Sequence, residues 1–283
     1  CLNSQFPMTL AWGDHLVNFY NDGYLPIVGD KHPHAFGQPV QLAYPEIWDF
    51  LEPRIAGILA AGDVIWEKDL LLPLVRKSVP EECYFTFCYS PLHDDGGSVA
   101  GVLSVATDTT AHVLSRRRGD LMTGLNVRLS ACRTLDEIED ALVHAVQSDE
   151  MDFDQAAIYR HLDDQAWECV WSRSDPPDPE DVKRPRTAPG GRGLAEVDGG
   201  YIASRQVRHQ GAAPYSVSLW VKPHPLVPSD ETYARFLQDI MDAVEGSARR
   251  LIAEVTHIRH VERERDKSDR LYRLIFDHSQ DGI

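Results

Sequence analysis

The sequence predicts an α+β chain of two domains followed by a long helix, and three observations carry that expectation. Period-two alternation flanks a Pro- and Gly-broken helical middle between residues 6 and 110. Residues 134–221 then read as a helix followed by short strands. From Leu237 onward the apolar residues Leu237, Met241, Val244, Ala248, Leu251, Val255 and Ile258 recur in steps of four and three, which is a heptad seam.

In the first segment, Met8, Leu10 and Trp12 alternate, Gly13-Asp14 turns the chain, and Leu16 to Tyr20 returns as a hairpin partner. Pro26, Gly29, Pro33, Gly37, Pro39 and Pro45 break the next stretch into short helices. Ile47, Leu51, Ile55, Ile58 and Leu59 share one helical face that Gly62 can end. Val64 to Val75 is extended. Tyr84 to Pro91 alternates, with Phe85, Phe87 and Tyr89 on one face. Asp94-Asp-Gly-Gly97 turns into Val99 to Thr107. Two strands, a helical insert and three strands make a five-stranded antiparallel sheet with helices on one face.

Ala111 to Ala131 has helical spacing despite Gly119 and Gly124, and Thr134-Leu-Asp-Glu137 is a capping box before the next helix. Strands follow at Ala156 to His161, Trp167 to Trp171, Tyr201 to Val207 and Tyr215 to Val221. Ser174 to Gly193 is Pro-, Gly- and charge-rich and reads as loop. Gly190-Gly-Arg-Gly193 within it lacks the strand before and helix after that a phosphate loop needs. Ser229-Asp-Glu231 caps and charges the start of the final helix.

Composition narrows the function classes. The 283 residues suffice for about two domains at ~150 residues each. A net charge of −16 argues against nucleic acid and anionic lipid as partners, since both require a basic face. Arg116, Arg117 and Arg118, the one tight basic run, read as a solvated helix face. No apolar stretch approaches the roughly 20 residues that span a bilayer, and no signal-peptide pattern is visible. The five cysteines show no metal spacing, and Cys83 and Cys88 belong on opposite strand faces. Reduced thiols in a cytoplasmic protein are the expectation.

The Phe19-Tyr-Asn-Asp-Gly-Tyr24 segment, the Tyr84-Phe-Thr-Phe-Cys-Tyr-Ser-Pro91 strand, the Asp94-Asp-Gly-Gly97 turn and the closing Ala106-Thr-Asp-Thr-Thr110 resemble a PAS sensory domain over most of residues 6–110. Phe6-Pro-Met-Thr-Leu-Ala-Trp-Gly13, Lys31-His-Pro33, Glu46-Ile-Trp-Asp49 and Glu81-Glu-Cys-Tyr-Phe-Thr-Phe87 narrow the resemblance to the first PAS domain of bacterial multidomain sensor kinases. Trp220 to Phe236, continuing to Ala248, resembles the last strand, loop and exit helix of the GAF domain that follows in such kinases. The implied organisation is a PAS domain at 6–110, a connector helix at 111–131, a GAF-like domain at 132–250 and a coiled-coil signalling helix at 251–270. Residues 271–283 read as the start of a second PAS domain.

The PAS resemblance places a pocket between the inner sheet face and the helical insert, with Trp12, Phe19, Tyr24, Trp48, Trp66, Phe85, Phe87 and Tyr89 as candidate lining. These aromatics read either as the filling of a small core, the plainer reading, or as pocket walls. Convergent polar groups would mark the second. No cofactor is expected. No cysteine sits in the Asn-Cys-Arg-Phe setting of the light-sensing flavin class, and His32 and His34 lie in a Pro-rich turn rather than in a haem-ligand position. A metal would lack third and fourth ligands beside that pair. Asp108, Thr109 and Thr110 end the last strand and cap the exit helix, where the resemblance implies signal transfer.

No catalytic motif is present: no phosphoacceptor histidine context, no cyclic-dinucleotide synthase run, no nucleophile elbow and no Walker loop. The expectation is therefore the sensory and dimerising input region of a signal-transduction protein, by resemblance a sensor histidine kinase. Alternatives are the input region of a diguanylate cyclase or phosphatase, or a ligand-free dimer scaffold. The seam from Leu237 to Ile258 is the expected homodimer contact. An amphipathic helix packed on its own domain from Phe236 to Val244 is the competing reading.

Overall fold

The computed structural model describes residues 3–76, 79–162, 167–183, 186–187, 194–209, 214–228 and 230–280. The chain divides into two compact units, residues 1–119 with 225–228, and residues 120–224 with 229–283.

The first unit opens with the hairpin of β1 (Met8–Trp12) and β2 (Val17–Tyr20). Five short helical pieces follow, α1 (Leu25–Val28), α2 (Val40–Ala43) and three 3-10 turns, before the longer α3 (Trp48–Ala61). Gly62 ends α3 at φ 73°, a left-handed cap that glycine adopts without Cβ strain, and its N–H reaches the Ile58 carbonyl. Then come β3 (Ile65–Leu71), the small pair β4 (Leu74–Arg76) and β5 (Val79–Glu81), β6 (Tyr84–His93) and β7 (Val99–Asp108). The main sheet is antiparallel in the order β2-β1-β7-β6-β3, with the insert between β2 and β3. This is a five-stranded antiparallel sheet with helices.

Gly101 is required by close approach rather than by φ. A Cβ there would meet the Ala11 carbonyl oxygen at 2.5 Å and the Trp12 ring at 2.8 Å on the neighbouring strand.

Helix α4 (Thr110–Ala131) is continuous through both glycines, with Val113, Leu121, Leu125 and Leu129 buried along it. Its basic run is not simply a solvated face. Arg117 donates to both carboxylate oxygens of Glu82, at 2.6 and 3.3 Å, and the Glu82 side chain is fully buried. The Tyr84 hydroxyl also donates to Glu82, at 2.7 Å. A buried carboxylate needs such partners, and sequence spacing cannot announce a pairing across 35 positions.

The second unit contains α5 (Leu135–Gln147), β8 (Gln155–Leu162), β9 (Glu168–Ser172), α6 (Pro179–Lys183), β10 (Arg186–Thr187), β11 (Leu194–Val197), β12 (Gly200–Val207), β13 (Tyr215–Lys222) and α7 (Glu231–Gln280). Its six strands run in the order β10-β11-β12-β13-β8-β9. Thr134 Oγ1 accepts from the Glu137 N–H, while the Glu137 carboxylate accepts from the Arg133 N–H, so the capping box closes one residue early. The stretch read as loop holds α6 and β10, elements of five and two residues too short to show a period. Gly190-Gly-Arg-Gly193 and Ser229 lie outside the described residues. Asp230 accepts from the Tyr233 N–H and serves as the cap that opens α7.

Helix α7 is 50 residues long, and its seam divides in two. Leu237, Met241, Val244, Ala248 and Leu251 are buried inside their own unit, each at 4% exposure or less. Val255 and Ile258 stand 42% and 50% exposed. Expecting the whole seam to be a dimer contact is thus corrected for its first five residues. An ideal helix drifts only ~20° per heptad from a 3.5-residue repeat, so over about two heptads a helix lying on its own domain shows the same spacing.

Candidate functional site

A cavity lies inside the first unit, between the inner face of the sheet and the helical insert. Its volume is about 70 Å³, against ~150 Å³ for a core cavity that holds benzene. Its apolar wall comes from Ile27 and Val40, from Ile47, Leu51 and Ile55 at and along α3, from Leu72 and Leu74, and from Phe85 and Phe87 of β6. The two central strands contribute small side chains instead: Thr9 and Ala11 on β1, Val102, Ser104 and Ala106 on β7. The space exists because those inward positions are small.

Period-two geometry explains which candidates reach it. Tyr24, Phe85, Phe87 and Tyr89 line the cavity. Phe87 and Tyr89 stack at 4.6 Å between centroids, and Phe50 meets Phe87 edge-on. Trp48 instead packs against the adjoining core cluster. Phe19 sits edge-on to Phe36 at 5.5 Å, away from the cavity wall. Trp12 and Trp66 are corrected outright, being 39% and 62% exposed. Ala11 points inward on β1, so its neighbour Trp12 must point outward. Selecting large aromatics favoured the outward register of this strand, whereas the informative signal was the run of small residues facing in.

Polar groups converge on the same space. Asn18 is 1% exposed; its Oδ1 accepts from the Thr9 hydroxyl at 2.6 Å and its Nδ2 donates to the Ala35 carbonyl at 3.2 Å. Among the described residues the Tyr44 hydroxyl has no hydrogen-bond partner, although the residue is only 5% exposed. Asn18 lies near enough to favour its ionised form slightly, without completing a hydrogen bond. Burial drives the pKa values of Tyr24, Tyr44 and Tyr89 well above the ordinary phenol range, so all three stay protonated at neutral pH. Among the described residues no charged side chain lines the cavity. Nearby cations are engaged elsewhere: Lys31 pairs with Glu46 and lies over the Tyr44 ring at 4.6 Å, and Arg54 donates to the Phe50 carbonyl.

His32 and His34 are exposed, and a His32 ring nitrogen lies 3.1 Å from the Tyr20 hydroxyl. Among the described residues no cluster of three or more His, Cys, Asp or Glu side chains could hold a metal ion, and no helix is long and apolar enough to cross a membrane.

At the end of β7, the Asp108 carboxylate accepts from the Thr110 N–H at 2.9 Å. Thr110 Oγ1 accepts from the Tyr84 N–H at 2.9 Å, and the Thr109 N–H donates to the Tyr84 carbonyl at 2.8 Å. The first residue of β6 thus holds the first turn of α4. That latch uses Thr110 as much as Asp108, a long-range role that a capping pattern does not reveal.

No family model matches the chain, and no curated protein matches it. Among solved structures it is similar to the PAS domain of a protein from Colwellia psychrerythraea, at 13% identity over 39% of this chain and 91% of that one, with a TM-score of 0.32. It is also similar to a sensory box sensor histidine kinase from Vibrio cholerae, at 18% identity over 38% of this chain and 80% of that one, with a TM-score of 0.28. A LOV domain from the blue-light activated histidine kinase of Erythrobacter litoralis EL346 gives 15% identity over 37% of this chain and 96% of that one, with a TM-score of 0.29. Each of these three covers less than half of this chain.

Proposed function

We propose that this chain is the sensory input region of a signal-transduction protein, with the first unit as a small-molecule sensor. The observation that carries the reading is the cavity, where an apolar wall meets convergent hydrogen-bonding groups and one buried hydroxyl is left without a partner. Sites for small molecules combine those features. The latch from Tyr84 to the start of α4 supplies an exit for a change at the sheet, because β6 carries both cavity-lining side chains and the latch.

In this reading the second unit is a GAF-like module, supported by the sequence resemblance and by its helix, antiparallel sheet and long exit helix. Helix α7 then leads to an output domain, by resemblance that of a histidine kinase in a two-component system. A diguanylate cyclase or phosphatase output is the second reading of the same input region. We assign homodimerisation to the exposed stretch of α7, where Val255 and Ile258 continue the seam beyond the core. The net charge of −16 supports a partner other than nucleic acid.

Native mass spectrometry of the purified chain, with denaturing spectra for comparison, tests the sensor reading. A retained small molecule released on denaturation is the expected result. Its absence, together with no thermal stabilisation by any member of a small-molecule library, would leave the ligand-free scaffold as the better account.

A further inference from the structure

The first unit holds a piece of chain from far along the sequence. Residues 225–228 belong to it, although β13 before them and α7 after them belong to the second unit. The Glu82 N–H donates to the Leu226 carbonyl at 2.8 Å, and Val227 is 5% exposed. Pro223, Pro225 and Pro228 fix φ along this stretch, so it passes on a displacement rather than absorbing it. Only Ser229 and Asp230 separate Pro228 from Glu231, the first residue of α7.

The same Glu82 grips α4. Arg117 donates to both of its carboxylate oxygens, and the Tyr84 hydroxyl donates to one of them. The Glu82 side chain is fully buried, so withdrawing Arg117 would leave a buried charge without its counter-ion, which is strongly unfavourable. Glu82 and α4 are therefore bound to move together. Cys83 and Phe85 turn the other way, into the core cluster that includes Phe87 and Ala106. Phe85, Phe87 and Ala106 line the cavity. Alternate side chains from 82 to 85 thus serve α4 and the core in turn.

Resting on the sensor reading, we infer that Glu82 is a positioning residue that ties two helices to the cavity strand. Its carboxylate holds α4, and its main chain holds the segment that leads into α7. A change at Phe85 then reaches the start of α7 without first travelling along α4.

Hydrogen exchange on the full 283-residue chain tests the tie. Arg117→Met removes the charge and keeps an apolar stem. It is expected to raise exchange at the opening of α7, Tyr233 to Leu237, at least about fivefold, the lower end of ordinary coupling between sites. Phe85 and Leu103 should stay protected. Arg117→Lys keeps a point charge without the bidentate fork and should recover part of the lost protection. Coupling is reciprocal, so Val227→Ser should raise exchange at the Glu82 amide and along α4 around Arg117. Should Arg117→Met not fold, Glu82→Gln combined with it removes both charges and carries the same expectation at α7. Exchange that rises along α4 but not at Tyr233 to Leu237 overturns the inference, as does a Val227→Ser effect that never reaches α4. Loss of protection at Phe85 and Leu103 overturns it too, by making Glu82 a prop of the sheet. None of these rates needs a ligand. Coupling with nothing retained in native mass spectrometry would leave the tie standing and the sensor reading fallen, and a retained molecule without coupling would do the reverse.

Discussion

The inner strand faces of the two units carry side chains of different bulk and different hydrogen-bond completeness. In the first, β1 and β7 present Thr9, Ala11, Val102, Ser104 and Ala106 to the interior, and a cavity lies over them. In the second, Tyr215 through Val221 of β13 are buried without interruption, so both faces of the strand are covered. There Tyr159 donates to the Pro177 carbonyl, Tyr233 to the Asp152 carbonyl, Tyr215 to Glu139 and the Trp220 indole to the Val197 carbonyl. In the first unit the Tyr44 hydroxyl has no hydrogen-bond partner of good geometry among the described residues. Close packing with every polar group satisfied is the ordinary state of a protein interior. The second unit meets it at these positions, with Ser174 Oγ an exception elsewhere in it, and the first departs from it at the Tyr44 hydroxyl and at Thr109 Oγ1. Departures of this kind mark where a fold gives up local stability for a site.

The largest test concerns where the filled core ends along α7. Leu251 is 4% exposed, so Leu251→Asp places an unpaired charge in the second unit's core and should cost about 3 kcal/mol or more, read by chemical denaturation. Val255→Asp with Ile258→Asp falls on exposed positions and should change monomer stability by no more than ~0.5 kcal/mol per site. Under the dimer reading that double variant halves the mass in light scattering. An unchanged mass would remove α7 as the dimer contact. The heptad positions that follow are Glu262, Arg265 and Asp269, so few apolar layers are left to hold two chains together.

The hollow-against-filled contrast can be broken more directly by adding the same bulk to each. Ala157 is fully buried beside Tyr159 and Trp220, and Ala157→Val should overpack that core at a cost of about 1–3 kcal/mol. Ala106 faces the cavity, and Ala106→Val should stabilise the first unit by about 0.5–2 kcal/mol, as filling a void commonly does. It should also weaken any ligand retained there. Equal destabilisation by both changes would mean the first core has no space to give.

How much of this was legible in the sequence varies by the range of the interaction. The hairpin at β1 and β2, the Gly62 cap, the alternation of β6 and the capping box at Thr134 are local patterns, and each left a local trace. The glycines in α4 lowered its propensity, yet Leu121, Leu125 and Leu129 gain enough burial to hold the helix through them. Glu82 with Arg117 and the orphaned Tyr44 depend on what the fold brings alongside. Trp12 and Trp66 misled because residue size was weighed ahead of strand phase. For the cavity, reading phase first would have selected Thr9, Ala11, Ser104 and Ala106.

The smallest effect tests the latch that joins cavity strand to exit helix. Asp108→Ala removes an acceptor from the Thr110 N–H, a change worth about 0.5–2 kcal/mol for a helix cap. That is minor beside the roughly 5–15 kcal/mol that holds a domain folded, so the sheet should persist. The Thr109 N–H keeps its bond to the Tyr84 carbonyl, and Thr110 Oγ1 still accepts from the Tyr84 N–H. Loosening should therefore begin at Thr110 rather than Thr109 and spread toward Gly119, where helix propensity is weakest. Hydrogen exchange is expected to rise from Thr110 to Leu121 while Phe85 and Leu103 remain protected. Loss of protection at Phe85 would make Asp108 a part of the sheet's own stability. No change anywhere would assign the latch to Thr110 and Tyr84 alone, and Thr110→Val, which keeps the shape and removes the hydroxyl, would then be the variant that frees the helix.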